Sequence, residues 1–277
     1  VFNMKPKWET KNETWDREAI RSVQMLDYYN NAGWEKCDGE NVRGFSAVAY
    51  HFGRMLCDSL EVPIGLICNA VGGSATESWI DRSTLELYLP AILNDWMHND
   101  FIQKWVRERA AFNIGYPESG AIRHPYEPCY LFETGIAPLD RFPIKGVIWY
   151  QGESNAHNVE AHETLFRLLT ESWRSNWNNP DMPFHFVQLS SLNRPSWTWF
   201  RDSQRRLSET IPHSGMAVCS DIGDSLDVHP RIKKPVGERL ARIALCEDYG
   251  FDMVPSGPLF SKVEVSDGQI TVEFLYS

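Results

Sequence analysis

The amino-acid sequence predicts an α/β protein with a parallel central sheet. Short apolar runs typical of buried strands alternate along the chain with amphipathic stretches of ten or more residues. Sheets built from such repeated units are parallel and are covered by helices on both faces. Polar clusters follow three of the runs, at 69–74, 151–155 and 221–229. Because ligands bind such sheets at the carboxyl ends of the strands, we expect the functional site there.

Composition agrees with a globular domain. A chain of 277 residues predicts one large domain, or one domain and part of another, at about 150 residues each. The hydrophobic share of 43% and the charged share of 23% exclude a disordered chain. The net charge of −10, without a basic run, argues against nucleic acid as a partner. No apolar stretch approaches the roughly 18 residues of a membrane span.

The first half of the chain supplies one clear helix and one strand. Residues 1–41 show no period and predict loops around short elements. Apolar residues at intervals of three and four over 45–60 predict a helix that Pro63 ends. Residues 64–69 predict a buried strand that runs into a turn at Gly72 and Gly73.

The second half repeats the pattern of strand and helix. Residues 81–116 have helical period and predict helices over one end of the sheet. The later predicted strands are 146–150, 184–189 and 216–220, and the later predicted helices are 165–173, 202–211 and a helix that begins at Pro235.

The character of the sequence changes at Pro255. Two alternating runs joined by Asp267-Gly268 predict a β-hairpin. Since a lone hairpin is marginally stable, it either pairs with the surface of the preceding domain or begins a further β-rich segment. We therefore divide the chain into a domain over 1–254 and the start of a β-rich segment over 255–277. Both ends of the sequence are expected to be cut.

Six cysteines are present without a C-x-x-C pair, which argues against a structural zinc site. Cys68 and Cys219 lie in apolar runs and are expected to be buried thiols.

Two polar clusters contain candidate catalytic groups. Asp227 precedes His229 by two residues, so its carboxylate could orient that imidazole as a general base, although a surface Asp-His turn explains the pair equally simply. Gln151 and Asn155 could donate amide hydrogen bonds to an oxyanion. Gly72 and Gly73 let the backbone approach a ligand, with an ordinary turn as the alternative.

Three blocks of sequence resemble the sialate O-acetylesterase family of the SGNH hydrolase superfamily. The blocks are Asn69–Ser74, Trp149–Asn155 and Asp221–Pro230, and the similarity extends over about 45–251, weakest at 81–120. The resemblance implies a three-layer, flavodoxin-like fold with a parallel central sheet. It also implies a Ser-His-Asp mechanism without a metal or an organic cofactor.

The resemblance assigns roles to particular residues. It implies that His229 is the base and Asp227 its orienter. Many SGNH enzymes place the Asp three residues before the His, whereas the spacing here is two, so Asp224 remains a less likely substitute for Asp227. It implies a backbone oxyanion donor at Gly73, beside Gly72, and a side-chain donor at Gln151 or Asn155. Glu153 is expected to support this loop.

The nucleophile departs from the family pattern. The family has a Gly-Gln-Ser-Asn-like motif after its first strand, and none occurs between Val1 and Phe45. We therefore expect either a chain truncated at its N-terminus or a relative that lost the serine. Ser225, in a Gly-Asp-Ser-Leu sequence, and Ser74 are weaker candidates because neither has the expected setting.

Aromatic and basic residues could contact the sugar. Trp197, Trp199 and Phe200 are expected in a loop that either walls the cleft or anchors to the core. A carboxylate on the sugar would favour an arginine partner. The arginines considered are Arg123, Arg194 and Arg201.

These features predict a carbohydrate esterase that removes O-acetyl groups from sialic acid or related sugars. Alternatives are an acetylxylan or other polysaccharide deacetylase, and a non-catalytic carbohydrate-binding relative that lacks the serine. The family's habit of acting on glycans outside the cytoplasm suggests a periplasmic or extracellular location. Residues 1–277 alone are expected to be inactive because a base without a nucleophile forms no acyl intermediate.

Overall fold

The computed structural model describes residues 1–115 and 123–276. The strands in these ranges are β1 (Phe2–Met4), β2 (Ile67–Asn69), β3 (Val147–Trp149), β4 (Phe184–Val187), β5 (Met216–Ala217), β6 (Leu259–Ser266) and β7 (Gln269–Leu275). The α-helices are α1 (Arg17–Gln24), α2 (Ala47–Leu60), α3 (Arg82–Tyr88), α4 (Lys104–Asn113), α5 (Tyr130–Gly135), α6 (Val159–Asn176), α7 (Trp197–Thr210) and α8 (Lys234–Glu247).

The parallel sheet is divided into two parts. β1 and β2 form a parallel pair, with Asn3 opposite Cys68. β3, β4 and β5 form a separate parallel sheet in that order. No strand pairing joins β2 to β3 in the part of the chain that the structure describes. The predicted α/β class with a parallel sheet is confirmed, but the sheet is not continuous.

Alternation along β4 shows the three layers. Phe184 and Phe186 are fully buried against α6, where they contact Phe166. Val187 points to the opposite face and packs in a cluster with Leu240 of α8 and Val48 of α2. Since side chains of a strand point alternately to its two faces, helices cover both sides of the sheet.

Local sequence explains where the helices begin. Ser46 caps α2 by accepting a hydrogen bond from the backbone N–H of Ala49, at 3.2 Å. Asn158 caps α6 in the same way through Ala161. α2 packs closely on α8 at Gly237, where an added Cβ would lie 2.5 Å from the carbonyl oxygen of Val48.

Several elements differ from the sequence prediction. Residues 1–41 contain the short elements β1 and α1 between loops, as expected, although neither element was located from the sequence. α7 begins at Trp197 rather than at residue 202, so the expected aromatic loop is helical. The predicted helical stretch over 81–116 forms α3 and α4 with short 3₁₀ turns, and its last residue lies outside the described ranges. Cys219 is buried as predicted, whereas Cys68 is half-buried.

The C-terminal hairpin forms as predicted. β6 and β7 pair antiparallel around Asp267 and Gly268, whose φ angles of 50° and 75° suit a tight hairpin turn. Both strands are exposed along their whole length. Within the described ranges, no helix is both long enough and apolar enough to cross a bilayer.

Candidate active site

The segments that follow β2 and β3 are joined by side-chain hydrogen bonds. The Oδ1 of Asn155 accepts from the backbone N–H of Thr76 at 2.9 Å. Gln151 accepts from the Thr76 hydroxyl at 2.9 Å and donates to the carbonyl oxygen of Ser74 at 3.1 Å. We call residues 72–77 and 151–155 the amide corner. These bonds place the carboxyl ends of β2 and β3 at the same edge of the fold.

Gly73 has the geometry of a backbone donor site. Its φ is +78°, and an added Cβ would lie 2.4 Å from the hydroxyl oxygen of Tyr126. Its carbonyl oxygen accepts from the Ser154 hydroxyl at 2.9 Å. Among the described residues, its N–H has no backbone partner. Gly72 beside it presents its carbonyl oxygen to Tyr126, at 2.8 Å.

The amides of Gln151 and Asn155 are engaged inside the corner. Asn155 is 2% exposed, and its Nδ2 donates to Oε2 of Glu77 at 2.9 Å. The Nε2 of Gln151 donates to Ser74 and to Oδ1 of Asn155, the latter at 2.8 Å. These side chains hold the two loops together.

Glu77 is a site residue that sequence reasoning missed. It is fully buried, and burial raises the pKa of its carboxyl to about 7, although hydrogen bonds from its own backbone N–H and from Asn155 oppose that shift. One of 37 acidic residues, it has no neighbouring motif to mark it. Only the fold shows that it positions Asn155.

His229 and Asp227 are adjacent but are not hydrogen-bonded through the imidazole. The Oδ1 of Asp227 accepts from the backbone N–H of His229 at 2.8 Å, and Nδ1 of the ring lies 3.9 Å from the same oxygen. The His229 side chain is 89% exposed. Asp224 instead accepts from the backbone N–H of Leu226. The carboxylate of Asp227 therefore shapes the turn and lies one side-chain rotation from the ring.

Contacts on both sides hold the His229 loop near the amide corner. Asp221 forms two hydrogen bonds with Arg239 of α8, at 2.7 and 2.6 Å. Val228 packs in the same apolar cluster as Ala156, which directly follows the corner. The loop therefore lies at the same edge of the sheet as the corner.

Glu153 of the amide corner and Lys233 influence each other's ionisation. Burial raises the pKa of Glu153, while backbone N–H groups and the nearby Lys233 act in the other direction. The Nζ of Lys233 lies 5.1 Å from the centre of the Tyr150 ring. Burial lowers the pKa of Lys233, while Glu153 and Asp227 act in the other direction.

In the part of the chain that the structure describes, Ser74, Ser154 and Ser225 do not form a triad with His229 and Asp227. The Ser74 hydroxyl is buried, donates to the carbonyl oxygen of Val71 at 2.8 Å and accepts from Nε1 of Trp79 at 3.0 Å. The Ser154 hydroxyl is bound to Gly73. Ser225 is exposed on the His229 loop, where its carbonyl oxygen accepts from the N–H of Asn193.

The aromatic residues of α7 support the fold. Trp197 and Phe200 are buried beneath Val228 in one apolar cluster, whereas Trp199 is 71% exposed. The expectation that these residues form a loop was wrong because the helix begins at Trp197. Two of them therefore support the His229 loop.

The three arginines considered for a sugar carboxylate make structural contacts. Arg123 forms ion pairs with Glu127, at 2.5 Å, and with Glu133. Arg194 lies over the ring of Trp197, and Arg201 bonds to Gln188. In the described ranges, no group of three His, Cys, Asp or Glu side chains is placed to hold a metal ion.

Known proteins share these blocks. The sequence model of a family described as "Carbohydrate esterase, sialic acid-specific acetylesterase" matches residues 124–246, which include Gln151, Asn155, Asp227 and His229. A sialate O-acetylesterase from Mus musculus is 31% identical over 92% of this chain and 54% of its own length. The chain is thus similar to the sialate O-acetylesterase family over most of its own length. The human member is 30% identical over 84% of this chain and 46% of its own length.

A solved structure agrees with this family assignment. The crystal structure of a carbohydrate acetylesterase from Xanthomonas citri superposes with a TM-score of 0.73 and 28% identity, over 99% of this chain and 55% of that one. The predicted SGNH-like fold is consistent with this neighbour. The chain spans about half the length of the family members it matches.

Proposed function

We propose that the protein is a carbohydrate O-acetylesterase that removes acetyl groups from sialic acid. The observation that supports this most directly is the set of hydrogen bonds that joins residues 72–77 to residues 151–155, with Val228 of the His229 loop in the same apolar cluster as Ala156. An ester needs an oxyanion donor and a base on the same side, and in this proposal the Gly73 N–H and His229 supply them. The names of the matched relatives support sialic acid as the substrate.

The proposed chemistry is acyl transfer through a serine. His229 accepts the serine proton while the oxygen attacks the acetyl carbonyl, and the Gly73 N–H stabilises the oxyanion. The imidazolium then protonates the departing sugar oxygen. Water attacks the acetyl-serine with His229 again as base, which releases acetate and restores the serine. In this scheme Asp227 turns toward Nδ1, a movement that the exposed ring permits.

The nucleophilic serine is proposed to lie outside residues 1–277, after a family-type first strand. The hydroxyls of Ser74 and Ser154 already donate to the carbonyl oxygens of Val71 and Gly73. Residues 1–254 are proposed to form the esterase domain, and 255–277 the start of a β-rich segment. A periplasmic or extracellular location remains part of the proposal.

The test is turnover of p-nitrophenyl acetate and of O-acetylated sialic acid by protein that carries the serine segment. His229→Ala should lower turnover about 10³-fold or more. Leu226→Ala is the matched control, since that side chain on the same loop is 88% exposed. Undiminished turnover after loss of His229 would contradict the assignment.

Comparison of two substrates distinguishes a polysaccharide deacetylase from an esterase that acts on sialic acid. Acetylated xylan hydrolysed faster than acetylated sialic acid would favour it. Binding of the sugar without turnover, in protein of full natural length, would favour the non-catalytic alternative. Hydrolysis by residues 1–277 alone that is lost in Ser225→Ala would place the nucleophile on the His229 loop.

A further inference from the structure

Exposed tryptophans are candidate contacts for a sugar, because an indole offers a flat apolar face. All 11 tryptophans lie in the described ranges, and three of them are exposed, Trp34 at 51%, Trp105 at 37% and Trp199 at 71%. Trp34 packs on Phe2 and Phe142 beside β1, with 5.6 and 6.4 Å between ring centres. Trp199 projects from α7 into solvent. Trp105, in the first turn of α4, contacts the amide corner.

The indole of Trp105 lies against Gly73. Its Cη2 atom is 2.8 Å from the position of a Cβ added at Gly73, so the six-membered ring covers one side of this glycine. Gly73 is the proposed oxyanion donor. A ligand whose acetyl carbonyl lies at the Gly73 N–H therefore brings the sugar attached to that acetyl group close to the indole.

Two contacts fix the segment that carries Trp105. Nε1 of the indole donates to Oε1 of Gln103. Nε2 of His157, two residues after the corner, donates to the carbonyl oxygen of Phe101 at 3.2 Å. The indole is thus held in one orientation before a ligand binds, which lowers the entropic cost of stacking on it.

Tyr126 supports the indole from the side of the core. The rings of Trp105 and Tyr126 meet edge to face, with 6.1 Å between their centres. The Tyr126 hydroxyl donates to the carbonyl oxygen of Gly72 at 2.8 Å and lies 2.9 Å from the hydroxyl of Thr10. Packing therefore holds one side of the indole and leaves 37% of the residue exposed.

The segment that carries Trp105 lies outside the part of the chain with the strongest family signature. The family model matches residues 124–246, and Trp105 falls in the stretch 81–120, where the resemblance is weakest. Segments that vary among relatives beside a rigid scaffold often carry binding residues. Trp105 is thus placed to determine which sugar is bound, rather than how the ester is cleaved.

We propose that Trp105 is a substrate-contact residue whose indole stacks on the C–H face of the acetylated sugar. Resting on the proposed function, this places the sialic acid skeleton on the exposed part of the indole, with the acetyl carbonyl at the Gly73 N–H. The electron-rich face of an indole attracts the weakly positive C–H groups of a sugar, and stacking removes apolar surface from water. Trp105 thus has the role that was expected of Trp197, Trp199 and Phe200 from the sequence.

The kinetic test compares an acetylated sugar with an ester that has no ring, in protein that carries the serine segment. Trp105→Ala should lower kcat/KM for O-acetylated sialic acid at least about tenfold more than kcat/KM for ethyl acetate. The loss should appear mainly in KM, because stacking holds the sugar in the ground state and the transition state alike. Trp105→Phe keeps a smaller aromatic face and should recover part of the loss.

Tyr88→Ala is the matched control for the kinetic test. It removes an aromatic side chain on α3 that is 60% exposed, and it should change the hydrolysis of neither ester. Equal losses with both esters in Trp105→Ala would show that the indole only supports Gly73, and would overturn the proposal. An unchanged KM for the acetylated sugar in Trp105→Ala would also overturn it.

A binding measurement separates this proposal from the esterase function itself. In an NMR spectrum of the indole N–H groups, the signal that is absent from Trp105→Phe belongs to Trp105. Free sialic acid, as its sodium salt, should shift this signal and leave the signal that is absent from Trp34→Phe in place. No shift of the Trp105 signal up to the solubility limit would overturn the stacking, whatever esters the protein hydrolyses. A shift in protein that hydrolyses neither ester would support the stacking and contradict the proposed function.

Discussion

At the scale of single residues, Gly73 determines the shape of the amide corner. Its positive φ turns the chain after β2, and the space where a side chain would lie is filled by Tyr126 and Trp105. Tyr126 in turn donates to the neighbouring carbonyl oxygen of Gly72, at 2.8 Å. The backbone turn and the side chain of Tyr126 thus hold each other in place. This packing fixes the orientation of the Gly73 N–H.

Substitution of the two adjacent glycines should therefore have unequal effects. We expect Gly73→Ala to reduce the free energy of unfolding by about 1–3 kcal/mol, because alanine is strained at φ > 0 and its Cβ meets Tyr126. Gly72→Ala is the matched control, with no atom within 4 Å of the added Cβ, and should change it by less than about 0.5 kcal/mol. Urea denaturation measures both. Equal losses would show that the corner is not built around Gly73.

Glu77 should make stability depend on pH. Its pKa is raised from an ordinary 4.5 to about 7 in the folded protein, mainly by burial. The folded state then binds the proton more tightly, so the free energy of unfolding should fall as pH rises from 4.5 to 7. Glu77→Gln keeps an oxygen for Asn155 and should remove this decline, as measured by urea midpoints across that range. Glu86→Gln, an exposed change on α3, should keep the slope of the original protein, and a slope retained in Glu77→Gln would contradict the assignment.

Sequence reasoning located most of the corner but not its internal bonds. Gly73, Gln151 and Asn155 stood out because they follow strands, and the structure places them together. The partnership of Asn155 with Glu77 spans 78 positions and depends on how two loops pack. No local pattern encodes such a contact, since it arises from tertiary packing.

At the scale of elements, β6 and β7 depend little on the rest of the chain. Every residue of both strands is exposed, including Val265, Ile270 and Phe274. Ion pairs of Lys262 with Glu264 and Glu273 are also at the surface, at 2.8 and 3.2 Å, where such pairs contribute little. The hairpin therefore adds little buried surface to the α/β core.

Removal of residues 258–277 should leave the core intact. We expect the Tm of the shortened chain to lie within about 2 °C of the original, because little buried surface is lost. Calorimetry measures this. A matched truncation that removes α8 with the hairpin should abolish the transition, since Leu240 and Ala241 are fully buried. A large fall in Tm on loss of the hairpin alone would contradict the boundary near 255.

Long elements with a clear hydrophobic period were predicted correctly, and short ones were not. α2 and α6 were recognised because their apolar faces repeat over 14 and 18 residues. β1 is three residues long and has no period to detect. The start of α7 was not predicted, because its first residues are aromatic and the side chain of Ser196 does not cap the helix. The sequence predicted parallel pairing but not which strands pair, because hydrophobic periodicity carries no information about neighbouring strands. The gap between β2 and β3 was therefore not predicted.

At the scale of the whole molecule, the net charge of −10 on residues 1–277 would oppose the approach of the anionic sugar that we propose as the substrate. Sialic acid bears a carboxylate, and Lys233 is the cation found beside the amide corner in the described ranges. Long-range repulsion between exposed charges is screened within about 10 Å at 0.1 M salt. The approach of the sugar should therefore depend on ionic strength.

We expect kcat/KM for acetylated sialic acid to rise several-fold between about 0.01 and 0.15 M NaCl, in protein that carries the serine segment. Turnover of neutral p-nitrophenyl acetate should stay constant and serves as the control. Initial rates at low substrate concentration measure both. A fall for the sialic acid ester would indicate that local cations outweigh the overall charge.

The exposed hairpin also bears on how copies of the protein behave in concentrated solution. Its outer edges present unpaired peptide groups beside apolar side chains, the combination that promotes fibril-like association of neighbouring molecules. Lys262, Glu264 and Glu273 interrupt that surface with charge. These three charged side chains therefore oppose aggregation of the protein through the hairpin. This role is separate from the proposed chemistry at the strand ends of the core.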